Sequence, residues 1–183
     1  MTTTQTLPPE TLPAETLATL PSCLADLCAE LDRFRGMIPP AVLHSSLQAA
    51  DIDLQSVSAR LRFDPRSYCR NRLHEGPSYE ALLVCWRPGQ ASPIHDHGGS
   101  SCAFRIVHGV GSESVFTLDA NRLRPLEERT HATGTVTSSR DEEIHELVNR
   151  QAFDLVTIHL YSPALDRLRT YSRVPRTESR AVA

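Results

Sequence analysis

Apolar residues in the first third of the chain recur at the spacing of helices. Ser22 has the character of an N-cap, and the apolar positions that follow it at helical spacing are Leu24, Leu27, Cys28, Leu31 and Phe34. Pro39 and Pro40 interrupt this pattern, because proline lacks a backbone donor and its ring clashes with the preceding turn. Residues 41–49 and 54–61 then predict two further short helices.

After Tyr79 the period changes, and the remaining pattern is typical of strands. Short segments rich in β-branched and apolar residues are separated by Gly, Pro, Asn and Asp, at residues 80–86, 102–108, 112–117, 134–137 and 154–161. No long helical pattern intervenes between them. Helices followed only by strands predict a mainly β protein, in which a short N-terminal α-helical cap packs on an antiparallel β-barrel.

Length and composition are those of one ordinary globular domain. The chain has 183 residues, of which 40% are hydrophobic, and a formal net charge of -3. These values argue against a disordered chain and against a strongly basic nucleic-acid-binding protein. Residues 1–20 are rich in Thr and Pro and predict a disordered tail; residues 21–172 predict a single domain, and residues 173–183 a loose tail. We expect a monomer.

The cysteines and the lack of targeting patterns indicate a reducing compartment. The five cysteines are odd in number and include no Cys-x-x-Cys pair. No segment joins a basic start to an apolar stretch as a secretory signal does, and no apolar run approaches roughly 18 residues, the length of a membrane span. We therefore expect a cytoplasmic protein that binds neither a membrane nor nucleic acid.

The segment Ser92-Pro93-Ile94-His95-Asp96-His97 carries the strongest chemical signal. Side chains on an extended segment alternate, so His95 and His97 are predicted to point to the same side. Neutral imidazole is a ligand for divalent iron, zinc, copper and nickel. His145, further along the chain, offers a third nitrogen. The three histidines therefore predict a transition-metal site.

The spacing around these histidines resembles the two motifs of the cupin superfamily of small antiparallel β-barrels. The first motif runs through Gly89, His95, His97, Cys102 and Gly109, and the second through Gly134, His145 and Asn149. The usual Glu ligand of the first motif is replaced by Cys102. Three neutral imidazoles without a carboxylate leave the full charge of a dication, which suits an anionic chelating substrate such as a thiolate with an amine. Fe(II) would leave a further position for O₂.

Four segments then resemble the cysteine dioxygenases, iron cupins that convert a thiol to a sulfinic acid. They are Tyr68-Cys69-Arg70-Asn71, Ser92 to His97, His145 with Asn149, and His159-Leu160-Tyr161-Ser162-Pro163. The resemblance runs from about Tyr68 to Asp166, roughly half of the chain. It implies that His95, His97 and His145 bind Fe(II), that the substrates are L-cysteine and O₂, and that Arg70 receives the substrate carboxylate through its planar fork of donors.

The resemblance also implies roles for residues of the predicted strand at 154–161. Tyr161 offers its phenol to the bound substrate, and His159 orients that phenol. Thr157 replaces the serine that normally completes this relay, and its hydroxyl can still bond His159. Animal members of the family carry a thioether bond between the residues at the positions of Cys102 and Tyr161. A Cys102–Tyr161 crosslink is therefore open here, as is a cis Ser162-Pro163 bond.

Several alternatives remain open from the sequence. Cys102 can instead be a small buried apolar residue or, least favoured, a fourth metal ligand. Trp86 and Phe104 belong to the core or wall the pocket, and His131 has no motif around it and is assigned a surface or structural role. The nearest rival function is a dioxygenase for 3-mercaptopropionate or another mercapto acid, in which a Gln typically replaces Arg70. A more distant rival is a non-catalytic metal-binding cupin sensor.

Overall fold

Three short helices come before most of the sheet structure. The computed structural model describes residues 2–5, 19–120, 122–139, 142–165 and 168–173. Its helices are α1 (Ser22–Leu31), α2 (Pro40–Ala49) and α3 (Leu54–Val57), and one 3₁₀ turn (Ser58–Arg60) follows α3. No helix in these ranges is long and apolar enough to cross a membrane.

The three predicted helices are confirmed, with small differences at their ends. Pro21, not Ser22, is the N-cap of α1, and no side chain caps this end. The helix stops at Leu31, so Phe34 lies beyond it. Asp53 caps α3 in a capping box, because its carboxylate accepts from the Ser56 backbone N–H at 2.8 Å while the Ser56 hydroxyl faces the Asp53 backbone.

The strands form two antiparallel sheets. They are β1 (Thr2–Gln5), β2 (Cys69–Glu75), β3 (Glu80–Trp86), β4 (Ile94–His95), β5 (Ser101–His108), β6 (Val110–Asp119), β7 (Arg122–Ala132), β8 (Val136–Ser139), β9 (Ile144–Val148), β10 (Leu155–Ser162) and β11 (Leu168–Tyr171). One sheet has six strands in the order β1-β11-β4-β9-β6-β7, and the other has five in the order β2-β3-β10-β5-β8. This arrangement confirms the predicted mainly β fold class with a helical cap.

The five-stranded sheet is buried on both faces. Along β3, Ala81, Leu83 and Cys85 pack in one core with the helices, and the alternate residues Leu82, Val84 and Trp86 pack in a second core with residues of β9 and β11. A strand covered on both faces carries apolar residues on both, which explains why β3 shows no polar alternation after Glu80. The second core lies between the sheets, beside the histidines.

Among the strands that the sequence pattern did not predict, β2 and β7 are largely polar. β7 is an edge strand, exposed along most of its length, and it pairs with β6. An edge strand with charged residues and a proline avoids pairing with other chains, so it has no apolar alternation. In β2, only Cys69 and Leu73 are apolar, and Arg70 and Asn71 are polar residues that are nevertheless buried.

Part of the predicted N-terminal tail forms a strand. Residues 2–5 form β1, which pairs with β11 through Thr2 opposite Tyr171, so the prediction of a disordered tail is wrong for this segment. Pairing with a distant strand orders a segment that lacks the apolar residues to fold alone. The rest of that predicted tail up to residue 18, and most of the predicted C-terminal tail, at 174–183, lie outside the described residues.

The glycines of the two sequence motifs occupy backbone conformations that favour glycine. Gly89, Gly109 and Gly134 have φ angles of 80°, 90° and 90°. At Gly109 a β-carbon would also lie 2.8 Å from the backbone oxygen of Asp154. The spacing of the motif glycines therefore reflects where the chain must turn or pass close to its neighbour.

Candidate metal centre

Three buried histidines converge between the two sheets. His95 ends β4 and lies directly opposite His145 on β9, so the strand register places these two rings side by side. His97 follows just beyond the end of β4. One nitrogen from each ring lies within 4.8 Å of the others, and the Nε2 atoms of His97 and His145 are 3.1 Å apart. The three predicted ligands are thus brought together. Only His95 lies within β4, and His97 lies in the turn after it.

The outer nitrogens of His95 and His97 face partners away from the centre. His95 Nδ1 donates to the backbone oxygen of Pro93 at 2.8 Å, which leaves Nε2 without a proton. His97 Nδ1 lies 3.5 Å from the Ser139 hydroxyl. Partners on the outer nitrogens fix the orientation of ligand histidines in metal sites. This donor set therefore fits a divalent transition metal.

A buried carboxylate stands behind the third histidine. Glu113 Oε1 accepts from His145 Nδ1 at 2.6 Å, and Glu113 Oε2 is 2.9 Å from His131 Nε2. Arg129 approaches the same carboxylate at 3.5 Å. Glu113 was not among the predicted site residues. No local sequence signal marks it, because its burial in β6 and its partners follow from the packed fold.

The environment favours a neutral His95 and an ionised Glu113. Burial, together with nearby His145, lowers the pKa of His95 to about 3. Burial alone would raise the pKa of Glu113, but hydrogen bonds from His131 and His145 outweigh it and hold the pKa below its usual range. An uncharged imidazole is the form that binds a metal.

A hydrogen-bonded relay runs along the inner face of β10. The Tyr161 hydroxyl is 3.1 Å from His159 Nδ1, and His159 Nε2 is 2.8 Å from the Thr157 hydroxyl. Trp86 Nε1 donates to Thr157 Oγ1 at 3.0 Å, a partner that the sequence did not reveal. Burial lowers the pKa of His159 to about 3 and raises that of Tyr161 well above its usual value.

The Trp86 contact favours one direction of hydrogen bonding through the relay. A threonine hydroxyl has a single hydrogen, and the indole N–H already occupies one of its lone pairs. Donation of that hydrogen to His159 Nε2 places the proton of the neutral imidazole on Nδ1. His159 then donates to the Tyr161 oxygen, and the Tyr161 hydrogen is directed away from the relay. The tautomer is assigned from this network.

A pocket beside the histidines brings the other predicted residues together. It encloses about 450 Å³, including solvent at its mouth, and its lining includes Arg70, His95, Tyr161 and Trp86. Of the two aromatic residues left open by the sequence, Trp86 lines the pocket, whereas Phe104 stacks on His159 with ring centroids 5.1 Å apart.

Arg70 is buried at the pocket wall beside a second carboxylate. Its Nη2 atom is 3.5 Å from Glu80 Oε1, which also accepts from the backbone N–H of Leu165 at 2.9 Å. Tyr68, two residues before Arg70, stacks on Trp86 with ring centroids 4.5 Å apart. A guanidinium cation held at the wall of an otherwise largely apolar pocket can receive an anionic group.

Cys102 lies directly opposite Tyr161 in the pairing of β5 with β10. Directly opposed residues of an antiparallel pair share one face, with β-carbons about 4.5–5.5 Å apart. Burial raises the pKa of the Cys102 thiol, so the thiol is neutral. Among the described residues, the histidine cluster does not include Cys102. The geometry therefore disfavours its alternative role as a fourth ligand. Ser162-Pro163, which follows Tyr161, is cis.

Comparison with known proteins identifies the family of the chain. The family model described as "Cysteine dioxygenase type I" matches residues 9–174. The chain belongs to this family. Cysteine dioxygenase type 1 of Homo sapiens is 26% identical over 161 residues, which cover 84% of this chain and 80% of that protein. The Rattus norvegicus protein of the same name is 25% identical over 152 residues, with 72% and 76% covered. The resemblance identified in the sequence is thereby confirmed.

One of the solved structures similar to this chain is that of a conserved protein with a double-stranded β-helix domain from Klebsiella pneumoniae. It is 14% identical, with a TM-score of 0.48, and the alignment covers 64% of this chain and 96% of that one. Family membership assigns the chain to a class of dioxygenases. The substrate and the metal of this member belong to the proposal below.

Proposed function

We propose that the protein is an Fe(II)-dependent thiol dioxygenase that oxidises L-cysteine with O₂ to cysteine sulfinic acid. The observation that carries this proposal is a single pocket onto which histidines of the triad, the Arg70 guanidinium and the Tyr161 hydroxyl all open. Family membership supports the reaction class. The five free thiols support a reducing compartment, and we propose that the enzyme acts in the cytoplasm as a monomer.

The three histidines would hold the iron through their Nε2 atoms. Ferrous iron, when bound, would supply the redox chemistry between dioxygen and the thiol. The protein contributes position and charge. His95 is kept neutral by burial and oriented by Pro93. Three uncharged imidazole ligands would leave the full positive charge of the metal ion, which attracts a thiolate.

Arg70 would bind the carboxylate of the substrate. Its guanidinium presents several donors in one plane, which matches the two oxygens of a carboxylate. Glu80 supports Arg70 from outside the pocket lining and also anchors Leu165, which lines the pocket. With Arg70 at one side and the histidines at the other, the pocket favours a short amino acid thiol over a longer one.

The Tyr161 hydroxyl would donate a hydrogen bond to the reacting sulfur. The relay from Trp86 through Thr157 and His159 leaves the Tyr161 hydrogen available to the pocket. Because burial raises the pKa of Tyr161 well above its usual value, the phenol keeps that proton and acts as a donor. His159 and Thr157 are positioning residues for Tyr161.

A Cys102–Tyr161 thioether is part of the proposal. Forming it would replace the S–H bond of Cys102 and one ring C–H bond of Tyr161 by a carbon–sulfur bond. Two protons and two electrons would pass to dioxygen, the oxidant of the reaction itself, and would reduce it to hydrogen peroxide. The cross-strand position of the two residues supports this bond, because neither strand would need to move far to form it.

Oxygen uptake with three small thiols tests the substrate. Protein loaded anaerobically with Fe(II) is mixed with O₂ and L-cysteine, 3-mercaptopropionate or cysteamine, and the sulfinate product is measured by mass spectrometry. We expect the highest kcat/KM with L-cysteine. Cysteamine lacks the carboxylate, so its kcat/KM should be about 10- to 100-fold lower, as expected for the loss of charge-assisted hydrogen bonds.

An Arg70→Gln variant is the matched control for this experiment. It should lower kcat/KM for L-cysteine much more than for cysteamine, because only the former presents a carboxylate to that position. Preference for 3-mercaptopropionate in the unaltered protein would replace the proposed substrate by the rival mercapto acid. No oxygen uptake at full iron occupancy would favour the metal-binding sensor.

A further inference from the structure

Glu113 is a fully buried carboxylate that touches the proposed metal site through one hydrogen bond. Its side chain is 1% exposed, and its Oε1 atom accepts from His145 Nδ1 at 2.6 Å. A buried carboxylate is costly unless it is hydrogen-bonded and paired. Here its partners are two histidines and the Arg129 guanidinium. The Nη1 atom of Arg129 lies 3.5 Å from Glu113 Oε2, and the Arg129 side chain is 30% exposed. The site therefore retains a negative charge next to one of its three histidines.

His131 fixes the other oxygen of this carboxylate. His131 Nε2 is 2.9 Å from Glu113 Oε2, and the His131 ring meets Phe104 edge-on with centroids 5.6 Å apart. Both carboxylate oxygens are thus engaged by rings that are themselves packed in the core. The Glu113 side chain cannot turn without breaking one of the two bonds, so its first oxygen stays directed at His145.

We infer that Glu113 is a positioning residue of the metal centre, and that it returns from behind His145 the negative charge that the motif lost when Cys102 replaced a carboxylate ligand. The inference rests on the proposed metal site. The carboxylate can only accept a hydrogen bond from His145 Nδ1–H, which leaves Nε2 free of a proton and directed at the other histidines. His131 has a supporting part, because it holds the carboxylate in place.

This arrangement has consequences for metal affinity and for redox preference. A carboxylate hydrogen-bonded to a ligand histidine makes that histidine a better electron donor, and the loss of such a partner typically weakens metal binding by about 10- to 100-fold. The same negative charge stabilises the higher-charged oxidation state of a bound iron. Removing it should therefore raise the reduction potential of the centre.

Metal binding by a Glu113→Gln variant tests the inference. The amide keeps the size of the side chain and an oxygen that can face His145, but it removes the charge. The dissociation constant for Fe(II) is measured without oxygen by competition with a coloured Fe(II) chelator, and Co(II) absorption bands report the ligand geometry. We expect Fe(II) affinity about 10- to 100-fold weaker than in the unaltered protein, and a higher reduction potential in a redox titration.

Glu143→Gln is the matched control. Glu143 and Glu113 each place a carboxylate oxygen within 4.8 Å of the same histidine, but Glu143 is 26% exposed and pairs with Arg129 at 3.6 Å. Glu143→Gln removes one carboxylate charge near His145 but leaves the charged acceptor of the Glu113–His145 hydrogen bond in place. We expect nearly unchanged affinity. An equal loss in both variants would reduce the effect to general charge and overturn the positioning role, as would unchanged affinity in Glu113→Gln.

His131→Phe keeps the inference testable if Glu113→Gln does not fold, which circular dichroism of the metal-free protein would reveal. Phenylalanine preserves a ring against Phe104 but removes the donor to Glu113. We expect a smaller loss of Fe(II) affinity in the same direction, and unchanged affinity would count against the inference. If the unaltered protein binds neither Fe(II) nor Co(II), the proposed metal site itself fails, and this outcome is distinct from the others.

Discussion

At the scale of single residues, chemistry depends on which side chains are placed opposite one another. Cys102 and Tyr161 are neighbours only because β5 and β10 pair in one register, and a shift by one residue would turn each to the other face. The same holds for His95 and His145 across β4 and β9. The residue types thus supply the functional groups, and the strand register places these groups next to one another.

The proposed thioether gives a prediction at this scale. After turnover with Fe(II), O₂ and L-cysteine, the intact mass of the protein should fall by two hydrogen atoms, and a digest should contain joined peptides from β5 and β10. Cys102→Ser should abolish the change. Cys85→Ser, which removes a buried thiol on the opposite face of the five-stranded sheet, should leave it intact. Turnover without any loss of mass would refute the crosslink.

At the scale of elements, β10 shows how one strand serves a core and a site at once. Val156, Ile158 and Leu160 pack towards the helices, while Thr157, His159 and Tyr161 form the relay on the inner face. Alternation with a period of two makes this division possible. β3 complements it, because Trp86 reaches across from the neighbouring strand to Thr157.

Trp86→Phe tests the direction of the relay. Phenylalanine keeps a ring beside Tyr68 but removes the N–H donor to Thr157, so the Thr157 hydroxyl no longer favours one orientation. A buried hydrogen bond contributes about 1 kcal/mol, which corresponds to about a fivefold loss of kcat, with little change in KM for L-cysteine. Thr157→Ser keeps the hydroxyl and should retain kcat. Steady-state oxygen uptake separates the two constants, and an unchanged kcat in Trp86→Phe would contradict the relay.

At the scale of the whole molecule, the site is assembled from segments far apart in the chain. The proposed ligands come from β4, from the turn after it and from β9, and Asp96 between two of them accepts from the Tyr171 hydroxyl of β11 at 2.6 Å. The five-stranded sheet lies between the helices and this site. A metal ion bound there would therefore stabilise the fold as a whole, because it would join strands that separate on unfolding.

Thermal unfolding measures this coupling. With free Fe(II) at about 100 times its dissociation constant, binding should stabilise the protein by about 2.7 kcal/mol. For a chain of this size that corresponds to a rise in Tm of roughly 5–10 °C. His95→Ala should melt at the same temperature with and without the metal. Calorimetry without oxygen provides the measurement, and an equal rise in both proteins would place the bound metal elsewhere.

The sequence by itself predicted the helical cap, several of the strands, and the three histidines, Arg70 and Tyr161 as candidate site residues. These features have local signatures, since apolar periodicity and short fixed spacings are visible along a few tens of residues. The strands β2 and β7 lacked such a signature because polar residues predominate in them, one bordering the pocket and the other at an exposed edge.

Only the tertiary structure decided what supports the site. Glu113, His131 and Trp86 stand in no motif with the residues they contact, and Glu113 is 32 positions from His145 in the chain. Which strands pair, and in which register, depends on the burial of both faces of a sheet together rather than on any one segment. Contacts of this kind follow from the packed fold, so no reading of a single strand reveals them.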